Sequence, residues 1–75
     1  MIIDRIRKLI AEQFGVDEYD IEDDANIMED FCTTPMDRVD IAMAIEDKFG
    51  ISVSDEELSE LVTLSEIADY VESNL

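Results

Sequence analysis

Two stretches of helical periodicity, each closed by a Phe-Gly pair, fix most of what this chain can become. In the first, Ile3, Ile6, Ile10 and Phe14 recur at three- and four-residue spacing, with Ile2 and Leu9 widening the stripe. Gly15 follows, and glycine is favoured just past a helix end because it takes a left-handed backbone at little cost. The spacing predicts a helix over 2–14. In the second stretch Met36, Val39, Ile41, Ala42, Met43, Ile45 and Phe49 lead up to Gly50, which predicts a helix over 35–49. Its apolar residues cover more than half the circumference, wider than the stripe of an ordinary surface helix. Such a helix is central, or it offers apolar surface to a partner.

The segments around these helices are shorter and more polar. Residues 15–34 are dense in Asp and Glu, with Val16, Ile21, Ile27 and Phe31 scattered among them. A structureless loop of about 20 residues is uncommon in a small domain. The four apolar residues are therefore expected to anchor it to the core, with short helical turns near 17–20 and 27–31. After Gly50, "ISVSDEEL" reads as an extended step and a short helix, with Ser54 and Glu57 spaced as a capping box. Thr63 and Glu66 repeat that spacing before a last helix whose Leu64, Ile67, Ala68 and Val71 share one face. No strand pattern, repeat or linker is visible. The expected fold is all-α, with three main helices and one short one in a single domain over residues 1–75.

A chain of this size buries only about 60% of the surface its unfolded form exposes. With one cysteine and no histidine it has neither a disulfide nor a zinc cluster to lean on. Its stability must come from packing, and its 47% of hydrophobic residues suffice for a small bundle. The charge is lopsided, with 21 acidic against 5 basic residues and a net charge of −16. That argues against nucleic acid and against an anionic membrane, both of which attract basic surfaces. It favours basic protein surfaces as partners. No apolar run approaches the roughly 20 residues of a membrane span, and Met1 leads straight into a helix pattern rather than a signal peptide. A monomer in the cytoplasm is expected, a location that the lone cysteine also suits.

The lead-in to the second helix, Cys32-Thr33-Thr34-Pro35-Met36-Asp37, first reads as a helix start. Proline suits the first helical position, where its missing N–H costs nothing. Thr34 can serve as N-cap, and Asp37 can reach back to it and favour the positive end of the helix dipole. A helix N-terminus could lower the pKa of Cys32, but Glu29, Asp30 and Asp37 surround it in sequence and push the other way. With no histidine to pair with, it is expected to be half-buried and structural. The acidic run "DEYDIEDDANIMED" lacks the EF-hand pattern, because Tyr19 and Ile21 stand at ligand places and the needed glycine is missing. No dedicated metal site is expected there. No nucleophile–base pair is present, so an enzyme is disfavoured.

The pattern "IMEDF…MDRVDIAMAIEDKFGISVSDEEL…VTLSEIADYVE", with "IAEQFGVDEYDI" before it, resembles the acyl carrier protein family over nearly the whole chain. The resemblance implies a small four-helix bundle with a long first loop. In that family a serine at the start of the second helix carries 4′-phosphopantetheine, whose thiol holds an acyl or aminoacyl chain. The family's lead-in is usually Gly, a small residue, Asp, Ser, Leu. By that resemblance Pro35 stands at the attachment serine and Thr34 at the aspartate before it.

Proline has no hydroxyl to form the phosphodiester, so no prosthetic group is expected. The remaining hydroxyls near that place are Thr34 and Thr33. Ser52, Ser54, Ser59, Ser65 and Ser73 match no attachment motif. The resemblance further implies docking onto biosynthetic or carrier-processing enzymes through the acidic second helix. Met36, Val39 and Met43 stand at i, i+3 and i+7, about half a turn from the core face of Ile41, Ala42, Ile45 and Phe49. Asp37, Asp40, Glu46 and Asp47 flank that stripe, and adaptable methionines suit such contacts. These seven residues are the expected docking face. The alternative is a working carrier, in fatty-acid, polyketide or related biosynthesis, with its phosphopantetheine on Thr33 or Thr34.

Overall fold

The computed structural model describes residues 1–32 and 34–75, with Asp55 described through its backbone. In chain order it has α1 (Ile2–Phe14), a 3-10 turn (Glu18–Asp20), α2 (Ile27–Asp30), α3 (Pro35–Phe49), α4 (Asp55–Ser59) and α5 (Leu64–Ser73). The two helices closed by glycine have the bounds that periodicity predicts. Gly15 and Gly50 each adopt a left-handed backbone with φ 68°, and each donates its N–H back into the last helical turn, to Ala11 and Glu46 respectively. Among the described residues the only extended pairing is one isolated bridge between Asn26 and Thr63.

α1 packs against α5 and α3, and α4 closes on α3. The core takes Ile6, Ile10 and Ala11 from α1, Ile41, Ala42 and Ile45 from α3, and Leu64, Ile67, Ala68 and Val71 from α5. Ile21, Ile27, Val53 and Leu58 complete it from the intervening segments. Each fully buried Ile, Leu or Val contributes about 1.5–3 kcal/mol of transfer free energy. Among the described residues no polar or charged side chain is buried, so the core is apolar and the net charge sits on the surface. No helix among these residues is long and apolar enough to cross a membrane.

The long first loop is tied down by backbone bonds as well as apolar anchors. Ile27 N–H donates to Val62 O, and Leu64 N–H to Ala25 O, at 2.9 and 3.1 Å. Ser65 donates both its N–H and its hydroxyl to Asp23 O, at 2.9 and 2.8 Å. Phe31 stacks obliquely on Phe14, with ring centroids 5.5 Å apart, joining the end of α2 to the end of α1. Ile21, Ile27 and Phe31 thus anchor the loop as expected, but Val16 does not. It is 39% exposed, because the left-handed turn at Gly15 carries it outward while its N–H bonds Ala11 O.

The starts of the helices follow their sequence signals with one exception. Thr63 and Glu66 form a capping box with both arms present. Ser54 caps α4 by accepting the Glu57 N–H at 3.1 Å. The return arm is missing there, because the Glu57 carboxylate takes the Ser54 hydroxyl on one oxygen and the Tyr70 hydroxyl on the other.

Candidate functional site

The predicted second helix is α3, and the residues singled out in sequence lie at its start and along its outer side. Thr34 is extended (φ −137°, ψ 160°) and its Oγ1 accepts the Asp37 N–H at 3.4 Å. Asp37 Oδ2 in turn accepts the Thr34 N–H at 3.1 Å. Both arms of a capping box are therefore closed around Pro35, the first helical residue. The cause is local: proline fixes φ for the first turn and removes a donor that a helix start would leave unpaired. Thr34 and Pro35 are both exposed. Thr33, the other candidate hydroxyl, lies outside the described residues.

Cys32 is half-buried just before this cap. Burial pushes its thiol pKa up, the Asp37 charge adds to that, and Arg38 opposes it. A thiol held in its neutral form is a poor nucleophile, so the sulfur serves packing.

The outer side of α3 divides by exposure. Met36 and Met43 are 64% and 58% exposed, and Asp47 is exposed with them. Val39, Asp37 and Asp40 are half-buried. The opposite side carries Ile41, Ala42 and Ile45 into the core, with Phe49 packed against it. The wide apolar arc thus resolves into a buried face and an exposed methionine pair rimmed by carboxylates. Glu46 stands apart from the other acids. Its carboxylate accepts the Val53 N–H at 2.9 Å, which holds the extended step after Gly50 against α3.

Three side chains matter more than their sequence context suggested. Arg7 lies half-buried on α1 and divides its guanidinium between its own helix and the first loop. Its Nε donates to Ile21 O at 2.9 Å, and its terminal nitrogens pair with Asp4 and Asp23. A signal for this was available: Arg7 stands four residues after Ile3 and three before Ile10, on the apolar stripe itself. Tyr70 bonds Glu57 across α5 and α4, and that bond, ahead of burial and the Glu57 and Glu46 charges, raises the pKa of its hydroxyl. Glu46 has no comparable signal, because its partner is reached only once the chain has turned at Gly50. Among the described residues no group of three or more His, Cys, Asp or Glu side chains converges to hold a metal ion.

A family model described as the phosphopantetheine attachment site matches residues 4–71. The chain belongs to that family, the family of the acyl carrier proteins. The match runs from the first turn of α1 to Val71 near the end of α5, so it covers all three main helices, both short ones and the start of α3. The small helical bundle with three dominant helices is the acyl-carrier-protein type of fold.

Proposed function

We propose that this acyl-carrier-type module bears no prosthetic group and acts by docking onto other proteins through α3. The observation that carries the reading is Pro35 in the first turn of α3, where the family's attachment serine is expected. The residues at this helix start do not fit a phosphopantetheine ester. Pro35 has no hydroxyl, and the Thr34 hydroxyl lies one residue before the helix and is engaged with the Asp37 amide. The fold is indifferent to the change, because proline is as good a first residue as the helix could have.

Docking is supported by the exposed pair Met36 and Met43, by Val39 between them, and by Asp37, Asp40 and Asp47 around them. Methionine side chains adapt to different partner surfaces, while the carboxylates attract basic ones and speed encounter. Glu46, placed with these acids by sequence, contributes charge to the face but is committed to Val53. The partners that fit are biosynthetic or carrier-processing enzymes with a basic patch. The module itself is a cytoplasmic monomer and not an enzyme: the chain has no histidine, and its one thiol is held neutral.

Intact mass of the protein isolated from its native cell tests the reading. The unmodified mass of the chain is expected. A mass increased by phosphopantetheine, mapped to Thr33 or Thr34, would establish a working carrier instead.

A further inference from the structure

Four methionines and one cysteine carry the sulfur of this chain, and the fold sorts them by exposure. Met28 and Cys32 are half-buried and packed against the core. Met36 and Met43 are 64% and 58% exposed on the outer side of α3. Seven residues apart, they lie on one side of the helix, about 10 Å from each other along its axis. Met1 is 93% exposed, but it precedes α1 and is no part of the α3 face.

A thiol and a thioether answer an oxidant differently. Cysteine reacts as its thiolate, and burial and the Asp37 charge hold Cys32 protonated. A thioether has no proton to lose, so its reactivity follows access to the sulfur. A hydroperoxide is small and neutral, and the net charge of −16 does not turn it away. The sulfur lone pair of Met36 or Met43 takes the terminal peroxide oxygen and the O–O bond breaks. The departing oxygen takes the proton from the transferred one and leaves as water or an alcohol. Sulfur is oxidised by two electrons, and the peroxide is reduced by two. The product, methionine sulfoxide, is polar where the thioether was apolar. A polar group carried into an apolar contact without a hydrogen-bond partner weakens that contact.

Resting on the α3 docking reading, we infer that Met36 and Met43 are oxidative modification sites that regulate this face: hydroperoxide oxidation of the pair releases the partner, and reduction of the sulfoxides restores binding. The buried core is built without either side chain, so the change stays on the surface and the bundle stays folded.

Dilute hydrogen peroxide on the full chain tests this. The readouts are peptide mapping by mass spectrometry, helical circular dichroism, and fluorescence anisotropy of a labelled amphipathic helical peptide with leucines on one side and lysines on the other. Met36 and Met43 should each gain one oxygen, along with Met1, before Met28 does. Cys32 should remain open to alkylation by iodoacetamide once the treated chain is unfolded. Circular dichroism should not change, while the peptide should bind on the order of tenfold more weakly. Methionine sulfoxide reductases for both sulfoxide epimers should restore the affinity. In the Met36→Leu, Met43→Leu variant, peroxide should leave the affinity at its untreated value, whatever that value is. A loss there would place the effect on another sulfur and overturn the inference. So would an unchanged affinity once Met36 and Met43 are oxidised, or oxidation of Cys32 ahead of them. The docking reading is judged on untreated protein: if the Asp40→Lys, Asp47→Lys variant binds the peptide no more weakly than the native chain, that reading fails and the inference falls with it.

Discussion

Thr34, which caps the start of α3, and Glu46, near its end, need different tests. Thr34→Ala removes the oxygen that accepts the Asp37 amide, and N-cap losses of this kind cost about 1 kcal/mol. Urea melts should show that loss, with an unchanged denaturant dependence. Glu46→Ala strips the Val53 amide of its acceptor, and bonds to a charged group are worth about 1.5–3 kcal/mol when intact. It should therefore destabilise the fold more than reversing Asp40 and Asp47, whose exposed or half-exposed charges should each shift stability by about 0.5 kcal/mol or less. The Asp40→Lys, Asp47→Lys variant should instead lose salt-sensitive partners in pull-downs. Partners retained equally by that variant would remove the docking face. The Thr34–Asp37 cap was legible in sequence because its groups are three residues apart. The bond of Glu46 was not, since its donor, the Val53 N–H, comes close only after the chain turns at Gly50; the place of Arg7 on the apolar stripe hinted at its burial but not at its acceptors Ile21 O and Asp23, which the first loop brings back to α1.

At the scale of elements, the helix ends carry clear expectations. Gly50 has nothing within 4 Å of where a Cβ would sit, and its φ is 68°. Gly50→Ala therefore meets only the backbone cost of the left-handed region, about 1–2 kcal/mol, measurable by thermal or urea unfolding. At the start of α5, the Thr63 and Val62 amides, with the Thr63 hydroxyl, hold the Glu66 carboxyl below its usual pKa, against a smaller opposing effect of burial. The lowered folded value means that Glu66 contributes stability above the ordinary glutamate pKa and loses it as pH falls through the lowered one. The stability gap between the native protein and Glu66→Gln should accordingly be widest near neutral pH and shrink on acidification. A gap that grows with acid would contradict the capping role. Helix bounds were legible because periodicity and glycine punctuation agree. The outward turn of Val16 and the open Ser54–Glu57 box were not, because one depends on where Gly15 aims the chain and the other on a tyrosine 13 residues away.

The whole molecule sets an apolar core inside a surface of net charge −16. Self-repulsion on that surface opposes the compact state, and salt screens it over a Debye length of about 10 Å at 0.1 M and about 3 Å at 1 M. The unfolding midpoint should therefore rise with added sodium chloride; a flat or falling midpoint would mean that the Arg7 pairs and caps outweigh repulsion. The family match over residues 4–71 and the helical bundle agree with the resemblance in the sequence. The divergent start of α3 bears instead on function, and that is where the account is most exposed. Incubation with coenzyme A and a broad-specificity phosphopantetheinyl transferase, read by intact mass, tests it most directly. The native chain should keep its mass, while the Thr34→Asp, Pro35→Ser double variant should gain the prosthetic group, and Pro35→Ser alone should gain it more slowly. Modification of the native chain would contradict the claim that this module has no place for the group.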